Sequence, residues 1–285
     1  MERLYLLAPA LSLLAITLGG LVVFGVLTLA GRQPQVRGAK HNELFGEFFG
    51  RWLVWMLTPI ERLLVGRVSA NAITAFSLVL CIVAGVGAAT GHFVVATWTF
   101  ITAGILDALD GRIARLSGEQ SSAGALFDSV SDRWGELAAF TGYVWFLRES
   151  PWLFAAMGAI GGSMMVSYTR ARAEGLGVEL RGGMMQRAER MVLVCLGTLI
   201  AAWFAAVGDI ATAVPIIGVT LGICAVASTA TALSRWVQAY RVLAARATKR
   251  AVPVETAPPA ATTTGPMFPV PAKLRESAEL GLSSR

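Results

Sequence analysis

Five stretches of the chain, 4–31, 68–106, 150–169, 191–208 and 210–234, contain no Asp, Glu, Lys or Arg. Runs of that length leave few folds open. About 20 apolar residues in a helix cross a bilayer. Lipid offers no partner to loose backbone groups, so helices are the default. The 68–106 run is long enough for two crossings and breaks at Gly91-His92. One more span is predicted from near Gly124 to near Leu147, which makes seven. The first is too long for a secretory signal, and no small-residue cleavage site precedes Arg32, so it is kept as an extra N-terminal transmembrane helix. The expected fold is an all-α polytopic membrane protein.

Charge supports this reading. Only 15% of the 285 residues are charged, where soluble domains carry about 25%. The net charge of +6 reads as positive-inside bias, and no nucleic-acid partner is expected. The basic residues gather on alternate connections: Arg32 to Arg67, Arg112 and Arg115, Arg170 to Arg190, and Arg235 to Arg250. The opposite connections hold little beyond His92, Arg148, Glu149 and Asp209. The basic side is therefore expected to face the cytoplasm of a multi-pass protein of the cell (inner) membrane, with the N-terminus outside. Cys81, Cys195 and Cys224 fall inside predicted spans and read as small core residues.

Three regions are predicted. Residues 1–40 carry the extra helix and a linker, and 41–248 form one membrane domain of six core spans. Residues 249–285 hold six of the chain's eleven prolines and read as a disordered cytoplasmic tail. The domain opens with an amphipathic stretch, 41–67, in which Phe, Trp, Leu and Val mix with Glu and Arg. It is predicted to lie on the membrane surface with a bend at Pro59. A linker helix packed half-buried on the bundle would have the same composition.

Between two apolar runs stands DALDGRIARLSGEQSSAGALFDSVSD, 107–132. Asp107 and Asp110 are three apart on one helix, and Asp128 and Asp132 four apart on the next, so each pair shares a face. The short turn at 117–123 makes the helices antiparallel neighbours whose pairs can face each other. Four close carboxylates repel, and hard divalent cations, Mg²⁺ or Mn²⁺, are the natural counter-charge for all-oxygen ligands. Two ions sharing four carboxylates suit displacement at phosphorus. Gly111 and Gly124 allow close approach of a ligand. Arg115 offers fixed positive charge one turn on. Carboxylates solvated at helix ends, or paired with nearby arginines, would explain the same pattern without a ligand. A transporter would place such groups near the midplane, often on interrupted helices. A non-catalytic scaffold would need no such ligand set.

The fixed residues read Asp107-x2-Asp110-Gly111-x2-Ala114-Arg115-x8-Gly124-x3-Asp128-x3-Asp132. Eight fixed positions match a given window by chance about once in 10¹⁰. The pattern resembles that of the CDP-alcohol phosphotransferases, as does a layout of six core spans after a surface helix. The resemblance implies transfer of a phosphatidyl group from CDP-diacylglycerol to an alcohol with release of CMP, at two Mg²⁺ ions, with Mn²⁺ as substitute. It implies that Asp107 and Asp128 touch both ions, that Asp110 and Asp132 each complete one, and that Asp132 is the base for the acceptor hydroxyl. It further implies CDP-lipid contacts from Gly111, Arg115 and Ser121 and from the segment Asn71, Ala72, Ile73 and Thr74, as well as a homodimer. Capping of the second span by Asn71 would account for that residue equally well.

The loop 167–191, SYTRARAEGLGVELRGGMMQRAERM, carries Arg170, Arg172, Arg181, Arg187 and Arg190. Arg187 and Arg190 stand three apart at a helix start, where a phosphate also feels the helix N-terminus. Topological anchoring would account for any one of these arginines. The segment resembles the phosphatidylinositol phosphate synthases of the same family. That resemblance implies an acceptor phosphate held by Arg170, Arg190 and Arg235, to which the helix-start position adds Arg187, with inositol 1-phosphate as acceptor. Glycerol 3-phosphate is the alternative acceptor.

Overall fold

The computed structural model describes residues 8–31, 46–180 and 182–251, and its regular elements there are all α-helices. They are α1 (Ala8–Leu29), α2 (Gly46–Leu64), α3 (Ala70–Ala89), α4 (Phe93–Ser117), α5 (Ser122–Phe146), α6 (Leu153–Gly175), α7 (Arg187–Ala206) and α8 (Ile210–Ala251). The linker after α1, Arg181 and the expected disordered tail beyond Ala251 lie outside the described residues.

Local chemistry sets the breaks. α3 ends before Gly91, whose φ of +75° is left-handed, and the chain re-enters helix at Phe93, as the Gly91-His92 break predicts. Gly118 closes α4 with φ +70°. Ser121 then caps α5, its Oγ accepting from Gly124 N at 3.0 Å. Asp209 opens α8 in the same way, accepting from Thr212 N at 2.9 Å.

α3, α4, α7 and α8 are each long and apolar enough to cross a membrane. α5 and α6, at 25 and 23 residues, have the length for it. They are less apolar because α5 carries Asp128, Asp132, Arg133 and Glu136, and α6 ends in charge. The outer surface is that of a membrane protein, with Phe154 77% and Val226 73% exposed. Small residues let the helices approach closely: Ala84, Ala88, Ala103, Ala139 and Ala159 are all buried in the core. α3 crosses α5 backbone to backbone, with Gly142 against the Gly85 carbonyl. The three cysteines are free and buried.

α2 runs unbroken through Pro59. It packs on α4 through Leu57, which meets Ile73, Leu109 and Ile113, while Ile60 and Leu63 stay exposed. α1 packs on α2 and α4. Its buried Phe24 meets the rings of Phe48 and Trp55 at 5.3 and 5.7 Å.

Candidate active site

The turn at 118–121 brings the start of α5 to the end of α4. Beyond it the two helices are not the packed antiparallel neighbours expected from the short turn, because each packs on α3, and they meet at their aspartate ends. Carboxylate oxygens of Asp107, Asp110 and Asp128 then lie within 4.8 Å of one another. Asp110 is only 3% exposed. Its Oδ2 accepts from Thr74 Oγ1 at 2.7 Å and its Oδ1 from Gly111 N at 2.5 Å. The two donors orient the carboxylate and still leave each oxygen a lone pair. Converging hard oxygen donors fit a divalent cation of the magnesium or manganese type.

Asp132 adjoins that trio, beside Asp107. Its Oδ1 takes Arg187 Nη1 at 2.8 Å, and the same nitrogen pairs with Asp107. Pairing with an arginine, open from sequence, thus holds for Asp107 and Asp132, whereas Asp110 takes hydrogen bonds from the neutral donors Thr74 and Gly111. One turn deeper, Arg190 and Glu136 form a second rung between α7 and α5. Arg190 Nε and Nη2 donate to the two Glu136 oxygens at 2.6 and 2.9 Å, and Nη1 donates to Met185 O at 3.0 Å. Sequence reasoning missed Glu136. The available signal was its spacing, because Asp128, Asp132 and Glu136 recur every four residues along one face of α5.

A cavity of about 740 Å³ opens beside the aspartates, between the starts of α3 and α5 and the end of α4. Of the expected CDP-lipid contacts it gathers Asn71, Thr74, Gly111, Arg115 and Ser121, together with Asp110 and Asp128. Ala72 and Ile73 do not line it. Residues three apart share a helix face, so Asn71 and Thr74 point in while the two between them turn away. Ile73 packs instead with Leu57, Leu109 and Ile113. The alternative reading of Asn71 as a helix cap does not hold. Ser69 caps α3, accepting from Ala72 N at 3.3 Å, and Asn71 lies inside the helix. A Cβ placed on Gly111 would meet Arg115 Nη1 at 3.5 Å and no other described atom within 4 Å. The missing side chain therefore leaves room in the cavity and serves no packing contact. Glu119, a further residue that the sequence did not single out, lines the same space and accepts from Ala70 N at 3.4 Å.

The four arginines expected on the acceptor phosphate occupy different settings. Arg187 reaches the aspartates. Arg190 is 1% exposed and engaged by Glu136. Arg235 is 4% exposed, with its guanidinium on Gly182 O at 2.7 Å and Val166 O at 3.1 Å. Arg170 lines a second cavity of about 500 Å³ with Glu174 and residues 177–180, and pairs with Glu174 at 2.8 Å.

The sequence profile described as CDP-alcohol phosphatidyltransferase matches residues 67–230. The chain is 31% identical over 137 residues to the phosphatidylinositol phosphate synthase of Mycobacteroides abscessus, covering 46% of this chain and 61% of that relative. It is 31% identical over 138 residues to the archaetidylinositol phosphate synthase of Methanothermobacter thermautotrophicus, covering 46% and 66%. The match thus spans less than two thirds of either relative's length. Among solved structures, the phosphatidylinositol phosphate synthase of Mycobacterium tuberculosis with CDP-DAG bound superposes with a TM-score of 0.55 at 27% identity, covering 65% of this chain and 94% of that one. The same enzyme in complex with manganese and citrate gives a TM-score of 0.55, covering 64% and 88%. Matched over more than half its length and carrying every fixed position of the aspartate pattern, the chain belongs to the CDP-alcohol phosphatidyltransferase family.

Proposed function

We propose that this integral membrane protein transfers the phosphatidyl group of CDP-diacylglycerol to inositol 1-phosphate, releasing CMP. The observation that carries this reading is the cavity that joins Gly111, Arg115 and Ser121 to the aspartate cluster. The relatives named as inositol phosphate lipid synthases, and a neighbour solved with CDP-DAG, support it.

Each residue has work to do in this scheme. The open face of Gly111 lets the diphosphate approach the backbone, and Arg115 meets its negative charge. Asn71 and Ser121 present amide and hydroxyl groups to the cytidine side of the cavity. Asp107, Asp110, Asp128 and Asp132 would hold two Mg²⁺ ions, which when bound neutralise the phosphates and the leaving CMP. Thr74 keeps the Asp110 carboxylate turned toward the cluster. Asp132 accepts the proton of the acceptor hydroxyl as that oxygen bonds to phosphorus and the bond to CMP breaks. Arg187 lies against Asp132, so an acceptor whose phosphate pairs with Arg187 brings its hydroxyl to the base. Arg170, Arg190 and Arg235 belong to the same acceptor side, Arg190 and Arg235 by shaping its wall and Arg170 from the neighbouring cavity. The active site faces the cytoplasm, and the protein works as a homodimer.

The test is CMP release by the purified full chain with CDP-diacylglycerol, Mg²⁺ and a panel of inositol 1-phosphate, free inositol, glycerol 3-phosphate and serine. Inositol 1-phosphate should be fastest. Preference for glycerol 3-phosphate would move the assignment to phosphatidylglycerophosphate synthesis. Release undiminished by excess EDTA would sink the metal reading.

A further inference from the structure

Behind the aspartates, on the far side of α4, stands a buried ion pair that the reaction scheme does not use. Glu61 of α2, 4% exposed, receives Arg112 of α4 through Nε on Oε1 and through Nη2 on Oε2 at 3.2 Å. Arg112 directly follows Asp110-Gly111, yet it occupies a variable position of the aspartate pattern, and Glu61 precedes the segment that the family profile matches. At 3.6 residues per turn, Arg112 lies about 160° round the helix from Asp110 and about 140° from Asp107. The pair therefore grips α4 on the side opposite its two ligand carboxylates.

Around it, α2 touches α4 through apolar side chains, Leu57 against Leu109 and Ile113. Such contacts resist separation but have no direction, so they tolerate a small rotation of α4 about its axis. Gly111 adds no side chain to oppose that rotation. A two-pronged guanidinium–carboxylate pair has a fixed direction and does oppose it. We propose that Glu61 and Arg112 are positioning residues: their pair sets the rotation of α4, and with it the aim of Asp107 and Asp110 into the cation and nucleotide cavity. The proposal rests on reading that cavity as the CDP-lipid site. Its consequence is that α2, outside the family-matched segment, tunes affinity for cation and nucleotide from behind.

The experiment uses the full chain in nanodiscs, with Mn²⁺ binding followed by electron paramagnetic resonance and with separate KM values for the two substrates. Glu61→Gln should raise the Mn²⁺ Kd and the KM for CDP-diacylglycerol each by about tenfold, and leave the acceptor KM within about twofold. The exchange Glu61→Arg with Arg112→Glu restores the pair in reverse and should bring both constants back to within about threefold of wild type. Glu61→Asp keeps the charge but shortens the reach by one methylene. It should show the same selective weakening, and it replaces Glu61→Gln should that variant not fold. A pair that merely added stability would lower the melting temperature and leave Mn²⁺ affinity in the folded fraction unchanged; that result overturns the proposal. So does a folded exchange variant that stays weak. Wild type that binds Mn²⁺ but releases no CMP with any acceptor would sink the catalytic reading alone, since the Mn²⁺ arm still tests the pair.

Discussion

At the scale of single residues, Asp132 and the arginines of α7 separate chemistry from support. Asp132 stands beside Asp107 and Arg187 and, unlike Asp110 and Asp128, does not line the nucleotide cavity. Asp132→Asn should therefore abolish CMP release and leave CDP-lipid binding within about threefold, because three carboxylates and Arg115 still face the nucleotide. Calorimetric binding beside a turnover assay checks this, and near-normal turnover would refute the base assignment. Arg187 and Arg190 look equivalent in sequence but not in structure. Arg187→Ala removes the charge nearest the base and should raise the acceptor KM by about tenfold, the worth of one charge-assisted bond. Arg190→Ala instead leaves the buried Glu136 carboxylate without its partner. Breaking such a pair costs about 3–5 kcal/mol, so thermal unfolding in detergent should report a lower melting temperature before any kinetic effect is read. The aspartates were legible because four carboxylates beside apolar spans have few explanations. The Arg190–Glu136 rung was not, because its members are 54 residues apart and no local pattern encodes which charge meets which.

At the scale of helices, the breaks were legible wherever a residue with special backbone chemistry marks them, as Gly91 and Gly118 do. Helix-to-helix packing was not, because a glycine inside an apolar run does not announce its neighbour. Gly142 faces the Gly85 carbonyl across the α3–α5 crossing. Gly142→Leu would force a side chain into that backbone contact, and overpacking of this kind costs about 1–3 kcal/mol. The variant should unfold at lower temperature, and its folded fraction should bind Mn²⁺ weakly because α5 carries Asp128. The sequence also left open whether 41–67 lies on the membrane or packs on the bundle. α2 packs on α4 through Leu57 and Glu61 and keeps Ile60 and Leu63 exposed, so one short helix serves both surfaces. α1 rests on α2 through Phe24, and its span carries no residue of the aspartate pattern. Deleting residues 1–38 should lower yield by uncovering Phe48 and Trp55. Activity per folded molecule should persist, since Leu57 and the Glu61–Arg112 pair still hold α2 in place.

At the scale of the whole molecule, the open question is which side of the membrane the site faces, and the charge distribution gives a definite expectation. The aspartate end of the bundle carries Arg112, Arg115, Arg187 and the charged end of α6, whereas the connections at the other end hold His92, Arg148, Glu149 and Asp209. Lys and Arg are retained on the cytoplasmic side of a membrane, so the turn between α4 and α5 should be cytoplasmic. The protein suits a direct measurement, because Cys81, Cys195 and Cys224 are all buried and a membrane-impermeant thiol reagent has little native target. Gln120→Cys places one thiol in the α4–α5 turn, and Glu149→Cys places one between α5 and α6. Both native side chains are exposed, and Gln120 stands at the rim of the cavity, so its labelling reports directly on the side that the site faces. In intact cells the reagent should label Glu149→Cys and leave Gln120→Cys unmodified; in inside-out vesicles the pattern should reverse. Labelling of Gln120→Cys in intact cells would place the cavity outside and remove the topological basis for the cytoplasmic assignment. Labelling of both variants from one side would mean that α5 does not cross, and the span count itself would fall.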